Sequence, residues 1–270
     1  MHARDRRITI LRSLGERGFQ SVQQLEHTLG VSAATVRRDL TNLEREGLLS
    51  RVHGGAEVVR DALPRSLSGQ PAFFAAQGRR LKEKRAIAAR AAELIPVDSS
   101  IIVDGGSTTF ALVEFLRDLE VRVLTSSFPL ANELLHRTRA QVTVPGGPIY
   151  RDQQLILSPF DEPVIQGYVA NLLFMGAQGI SERGLLQSDP MLVQAQRHLL
   201  DRAERFVVLA DSTKFAAAGN LVVCPPERID VFITDSGATP ASLARLRDAG
   251  IEVLVVDKHF KARTGPSEDP

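Results

Sequence analysis

The sequence predicts an α/β protein in two parts: a small helical head carrying a short hairpin, and a larger α/β body with a mainly parallel sheet. Three observations carry this. The first sixty residues place apolar side chains at helical spacing in three segments punctuated by glycine. From about residue 79 short apolar runs alternate with helical patterns, as parallel strands covered on both faces require. Between them, residues 61–70 contain Leu-Pro-Arg-Ser-Leu-Ser-Gly and keep neither period, so they read as a linker. A chain of 270 residues, 43% hydrophobic and 24% charged, is long and apolar enough to bury two cores.

In the head, Ile8, Leu11 and Leu14 recur at helical spacing, and Gly15 and Gly18 close that segment. Ser21-Val22-Gln23-Gln24 has the form of a capping box and starts a short helix with Val22, Leu25 and Leu29 on one face. Gly30 ends it. Ser32 is the expected N-cap of a third helix with Val36, Leu40 and Leu43 as its apolar stripe, stopped by Gly47. Leu48 to Val52 suits a strand, His53-Gly54-Gly55 a turn, and Ala56 to Val59 the return strand. The expected divisions are a head over 1–58, a linker over 59–78 with two aromatic rings at Phe73 and Phe74, a body over 79–260 and a polar tail over 261–270.

In the body, strands are expected at 101–103, 121–124, 141–144, 172–175, 206–209, 231–234 and 253–256. Helices are expected near 80–94, 108–116, 130–137, 161–168, 191–202 and 240–249.

Helix, short helix, tight turn and third helix make a helix-turn-helix, and the hairpin behind them a wing. With Val36, Leu40 and Leu43 inward, Thr35, Arg37, Arg38, Asn42 and Arg45 fall on the outer faces. A guanidinium can hydrogen-bond a guanine edge in two places, which makes Arg37 and Arg38 the natural base readers. Arg51 in the wing suits a phosphate or the minor groove. Asp39 would hold one arginine's rotamer or face solvent. Charge agrees mildly: residues 1–60 hold ten arginines against seven acids, net +3, and the remainder 23 basic against 25 acidic residues, net −2. A small helical bundle that binds protein fits the same spacing.

Four loops carry the body's chemistry. Asp104-Gly105-Gly106-Ser107-Thr108-Thr109 leaves a strand and enters a helix; glycines admit an anion to the backbone, hydroxyls donate to it, and the next helix offers free N–H groups. A tight turn with Ser107 as a helix cap is the plainer reading. Thr125-Ser126-Ser127 ends the next strand, and Pro145-Gly146-Gly147 the one after. Asp211-Ser212-Thr213-Lys214 leaves a later strand and brings a cation. Ligands of open parallel sheets gather beyond the carboxyl ends of strands, so a shared pocket for a phosphorylated molecule is expected.

Ser32-Ala33-Ala34-Thr35-Val36-Arg37-Arg38-Asp39-Leu40, followed by Leu43-Glu44, Gly47 and Arg51-Val52-His53-Gly54-Gly55-Ala56, resembles the signature of the DeoR family of bacterial regulators. The resemblance implies a winged helix-turn-helix bound to double-stranded operator DNA, with Ser32, Thr35, Arg37, Arg38, Asn42, Arg51 and His53 at the interface. The four loops also resemble that family's effector domain, related in fold to ribose-5-phosphate isomerase and CoA-transferase-like proteins. By this resemblance the cradle runs from Asp104 to Thr109, with Gly146, Gly147, Asp211 and Lys214 alongside; Thr125 and Ser126 join it as a strand end. The family often has Thr-Asn where this chain has Thr125-Ser126, and Ser158-Pro159 replaces a common Gly-Pro. Gln178 departs too. Leu157-Ser158-Pro159 with Gln187-Ser188-Asp189 looks closest to the branch that includes the ascorbate-utilisation repressor, which implies a phosphorylated sugar acid or lactone. Arg151 and His198 are cationic candidates for its acid group.

The implied function is a repressor of carbohydrate catabolism, a dimer or tetramer holding paired half-sites and released by its effector. An activator of the same build is the alternative. An isomerase with a DNA-binding head is another; it would need a general base, for which Asp104, Asp211 and Glu182 are available. No cofactor or metal is expected. The lone Cys224 lies in an apolar run and suits a buried side chain in a reduced, cytoplasmic setting. No apolar run approaches the ~20 residues a bilayer demands, and no apolar segment follows the Arg-rich start as in a signal peptide.

Overall fold

The computed structural model describes residues 6, 7, 9–11, 13, 14, 19–45, 49–52, 54–58, 72–157, 163–217 and 219–260. Ile8, Gly15, Gly18, Gly47, Leu48, His53, the 61–70 linker, Ser158-Pro159 and the 261–270 tail lie outside them. The chain divides into two compact units, Met1–Ala75 and Ala76–Pro270.

In the first unit residues 6, 7, 9–11, 13 and 14 are helical, and β1 (Phe19–Ser21), α1 (Val22–Leu29), α2 (Ala33–Arg45), β2 (Leu49–Val52) and β3 (Gly55–Val58) follow. Ser21 caps α1 through the expected capping box with Gln24, and Gly30 ends it in the left-handed region at φ 62°. Ile10, Leu14, Leu25, Val36, Leu40, Leu43 and Leu49 close one core. The sequence gives no warning of β1, which turns the expected two-stranded hairpin into a three-stranded antiparallel sheet of order β1-β3-β2. Asp39 neither faces solvent nor steadies Arg37 or Arg38. It is buried, and its carboxylate accepts from Arg6 Nε at 2.9 Å, tying α2 to the first helical segment. Helix α3 (Ala72–Gln77) falls inside the stretch expected to be linker, with Phe73 and Phe74 edge to face.

The second unit is built on seven strands: β4 (Ser100–Val103), β5 (Arg122–Leu124), β6 (Gln141–Thr143), β9 (Ala170–Gly176), β12 (Ala203–Leu209), β14 (Val231–Asp235) and β15 (Glu252–Val256). Their order is β15-β14-β12-β9-β4-β5-β6, and every neighbouring pair is parallel. Alternation along each strand feeds two cores. Ile101, Val103, Leu172 and Phe174 pack with α4 (Leu81–Ala92) and α6 (Phe128–Arg137) on one face. Ile102, Leu173 and Met175 face the other way, toward α7 (Pro163–Gln166), α8 (Pro190–Leu200) and α9 (Pro240–Asp248). Central strands buried on both sides explain the near-continuous apolar runs of the sequence.

Two elements have no counterpart in the sequence reading. One is the hairpin of β7 (Ile149–Tyr150) and β8 (Leu155–Ile156). The other is a three-stranded antiparallel sheet of order β10-β11-β13, with β10 at Gly179–Ser181, β11 at Gly184–Gln187 and β13 at Leu221–Cys224. A side chain at Gly184 would overlap the Cys224 carbonyl, and its φ of 104° suits glycine alone. Burial pushes the Cys224 thiol up to about 11, so it sits as an inert core residue.

Asp39 spans from α2 to Arg6, and removing one partner of such a pair leaves a largely buried charge uncompensated. Asp39→Ala should cost the first unit about 3 kcal/mol in urea unfolding, and a loss far below 1 kcal/mol would mark the pair as solvent-screened.

Candidate functional site: a helix-turn-helix face and a strand-end cradle

Helix α2 is presented by two anchors on its buried side, the Asp39–Arg6 pair and Glu26, whose carboxylate accepts from the Ala33 backbone N–H at 2.7 Å. Its opposite side carries Arg37 and Arg38, both exposed, with Thr35 and Asn42 half-buried beside them. Ser32 Oγ lies 3.4 Å from the Thr35 N–H and 3.1 Å from Thr35 Oγ1, so the expected cap is present at long range. In the wing, exposed Arg51 donates to Thr41 Oγ1 at 3.2 Å, which ties β2 to the outer surface of α2. Gly54 makes the turn at φ 82°. His53 lies outside the described residues. Ser32, Thr35, Arg37, Arg38, Asn42 and Arg51 therefore all belong to α2, its start and the adjoining wing.

In the second unit, seven parallel strands deliver their carboxyl ends to one edge. The loops at Asp104–Thr109, Thr125–Ser127, Val144–Gly147 and Asp211–Lys214 leave β4, β5, β6 and β12 there. Strands ~4.8 Å apart put the β4 and β12 loops two spacings, about 10 Å, from each other, with the end of β9 between them. The β6 loop is as far again on the other side, so Gly146 and Gly147 are the most remote from Lys214. Clefts of about 620 and 510 Å³ lie elsewhere, against α8 and α9, and none of the twelve expected cradle residues lines them. His198 belongs to the first of these and not to the strand-end loops.

The cradle loop is held from within. Gly105 lies under the Leu155 side chain of β8, where a methyl group would overlap it. Thr109 is fully buried and donates to the Gly106 carbonyl at 3.0 Å, while Ser107 is half-buried. The following helix is one α turn, α5 (Ser107–Phe110), continued as 3-10 structure through Phe115, so the regular helix expected over 108–116 contributes less aligned dipole than the sequence suggested. Thr125 is also spent locally: buried, it accepts from the Ser127 N–H at 3.0 Å, and Ser127 caps α6. The Ser126 carbonyl accepts from the Ile156 N–H at 2.7 Å, so β8 is laced to this loop. Arg151 is exposed in the hairpin turn.

Asp104 is buried at the mouth of β4 and accepts from Gln196 Nε2 at 2.9 Å. Desolvation pushes its carboxyl up to about 6, against hydrogen bonds from Gln196 and the Gly105 backbone that favour the charged form.

The β12 loop holds the cations. Asp211 caps the 3-10 turn of Ser212–Phe215 by accepting from the Thr213 N–H, and it faces Arg80 Nε at 3.4 Å. Arg80, at φ 51°, also donates to Asp235 Oδ2 at 2.8 Å and to Ser212 Oγ at 3.2 Å. Behind it, Lys84 of α4 is buried and donates to the Ala76 carbonyl at 2.5 Å. Burial lowers the Lys84 ammonium to about 8; Asp211 opposes this, while Lys214, Arg79 and Arg80 add to it. Arg80, Lys84 and Gln196 are the site residues that sequence reasoning missed. In Arg79-Arg80-Leu81-Lys82-Glu83-Lys84 four cations resemble any solvated charge run, though the one-turn spacing of Lys84, Ile87, Ala88 and Ala91 marks the buried side of that helix.

Comparison with known proteins accords with this geometry. The family model described as DeoR-like helix-turn-helix domain matches residues 6–62, and that described as DeoR C terminal sensor domain matches residues 79–236. A protein of Escherichia coli O157:H7 named as an aga operon transcriptional repressor is 32% identical over 254 residues, 93% of each chain. The HTH-type transcriptional regulator UlaR of Shigella dysenteriae serotype 1 is 30% identical over 252 residues, 92% of this chain and 96% of its own. Among solved structures, ribose 5-phosphate isomerase of Methanocaldococcus jannaschii overlaps loosely, at 19% identity and a TM-score of 0.35 over 49% of this chain and 53% of its own. No described helix is long and apolar enough to cross a membrane. With both family models matched in order and relatives of this identity along nearly the whole length, the chain belongs to the DeoR family of transcriptional regulators.

Proposed function

We infer that the protein represses a carbohydrate-catabolism operon in the cytoplasm and is released by a phosphorylated sugar or sugar acid held at the strand-end edge of the second unit. The observation that carries the reading is electrostatic: Lys84 is buried at one end of the sheet, which lowers its ammonium, and Lys214, Arg79 and Arg80 crowd close enough to lower it further by repulsion. A doubly charged phosphate relieves that repulsion, and a ring of hydroxyls can reach from it toward the β4 loop about 10 Å away. The name of the 32% identical relative, which refers to repression of an operon, supports the sign of regulation. Regulation without chemistry is the reading the loops support, since the described residues offer positioned charges rather than an arranged acid–base pair; turnover of a sugar phosphate by the purified protein would overturn that part.

Release requires the ligand to prefer one conformation over the other. Lys84 supplies a way. The ammonium that an anion would draw toward itself is the one bound to Ala76 in α3, and α3 is the segment through which the chain passes from the first unit to the second. Paired half-sites in DNA make a homo-oligomer the working form.

The helix-turn-helix assignment is tested by Arg38→Ala, which should abolish operator retention in gel shifts while calorimetry finds phosphorylated ligands bound as before. Lys214→Ala should keep operator binding but lose at least about tenfold in affinity for phosphorylated sugars, since a charge-assisted bond is lost; native affinity in that variant would move the pocket elsewhere. The depressed Lys84 sets the pH dependence. Above pH 7 the phosphate is already doubly ionised. Affinity should then fall as pH rises through about 8, where Lys84 loses its proton in the free protein. Titrations at pH 8.5 in two buffers of different ionisation enthalpy should show net proton uptake on binding, absent in Lys84→Met.

A further inference from the structure

Cations at the β12 end of the edge suit an anion; the β4 end carries acceptors instead. Asp104 and Gln196 meet there. Gln196 comes from α8, far from the strand-end loops in sequence, and its Nε2 donates to Asp104 Oδ2 at 2.9 Å. With that bond made, the amide is fixed in orientation and its Oε1 is an acceptor. This Oε1 is buried and has no hydrogen-bond partner among the described residues. A buried amide oxygen left unpaired costs about 1–3 kcal/mol, so its environment is complete only when a donor arrives. The Asp104 carboxylate, itself buried, has acceptor capacity beyond the Gln196 and Gly105 bonds. Two acceptors side by side select against a phosphate, which brings only more acceptors and negative charge. They select for hydroxyl groups.

The surroundings are built for a ligand of that kind. Leu155 of the β7–β8 hairpin lies over Gly105 and packs with Leu157 and Leu192, with Tyr150 and Ala195, the neighbour of Gln196, against them. Tyr150 Oη donates to Asp189 Oδ2 at 2.8 Å, pinning the hairpin to the start of α8. One wall beside the acceptor pair is thus apolar, which strengthens any hydrogen bond made there.

We propose that Gln196 is a specificity-determining residue of the effector site, its side-chain carbonyl and the Asp104 carboxylate it holds accepting hydrogen bonds from the hydroxyls of a polyhydroxylated monophosphate. The proposal rests on the strand-end edge being the ligand site and adds a division of labour: cations at the β12 end hold the phosphate, and acceptors at the β4 end read the hydroxyls. A site that must pair a buried acceptor rejects analogues lacking the donor far more strongly than an apolar pocket rejects a change in size.

The test is calorimetry on the full chain with three probes: inorganic phosphate, a panel of aldose monophosphates and phosphorylated aldonic acids, and the matching deoxy phosphates. In the native protein at least one hydroxylated monophosphate should bind more tightly than inorganic phosphate and than its deoxy counterpart. Gln196→Leu should erase that advantage, a loss of about tenfold or more, while inorganic phosphate and the deoxy compound bind the native and variant proteins alike. Gln196→Ala gives the same readout should the leucine variant not fold. The proposal is overturned if the variant keeps the advantage, if deoxy and hydroxylated phosphates are weakened equally, or if no hydroxylated compound outbinds inorganic phosphate. Failure of the underlying site looks different: inorganic phosphate itself does not bind, or binds Lys214→Ala as tightly as the native protein.

Discussion

The common direction of seven strands is the constraint on which the second unit depends. A parallel strand cannot turn back into its neighbour, so every connection must cross over a face, and every strand delivers its carboxyl end to the same edge. Both faces are consequently buried, one against α4 and α6, the other against α8 and α9. The loops that leave the strands therefore all collect at that edge. Residues as distant in sequence as Arg80 and Asp235, or Asp104 and Gln196, become hydrogen-bonded neighbours there.

Buried charge is handled differently at the two ends of this edge. Around β12, Lys84 is buried with Lys214, Arg79 and Arg80 nearby, Asp211 offsets this only in part, and the ammonium yields part of its affinity for a proton. Around β4, Asp104 has only neutral donors and yields in the other direction. A ligand that carries a dianion at one end and neutral hydroxyls at the other would relieve both strains at once. Each end alone would be satisfied by a simpler molecule; the proposed ligand would span the two strand spacings between them. In the first unit the buried carboxylate Asp39 is instead matched within the protein, by Arg6, which leaves α2 firmly seated and its arginines free of that duty.

Much of this was legible from local pattern. The helical periods of the head, the capping box at Ser21, the glycine stop at Gly30 and the alternation of strands and helices in the body are short-range effects, and the structure places those elements within a few residues of their expected bounds. The hairpin at 149–156 and the antiparallel β10-β11-β13 sheet were not legible. Strands of two to four residues hold too little periodicity to register, and their stability comes from what they pack on. Helix α3 hid in the same way, six residues long within a stretch of mixed polarity.

The sequence by itself determined which segments would be helix or strand, that an arginine-bearing helix would face outward, and that glycine- and hydroxyl-rich loops would follow apolar strands. Backbone propensity and side-chain period act over a turn or two, so the chain announces them directly. Only the tertiary structure decided that Asp39 answers Arg6, that Thr125 is consumed by its own turn, that Gln196 meets Asp104 and that Lys84 is buried beside Asp211. Those outcomes depend on which groups lose their water when α2, α4 and α8 pack. Desolvation is a property of the assembled neighbours, not of any stretch of residues.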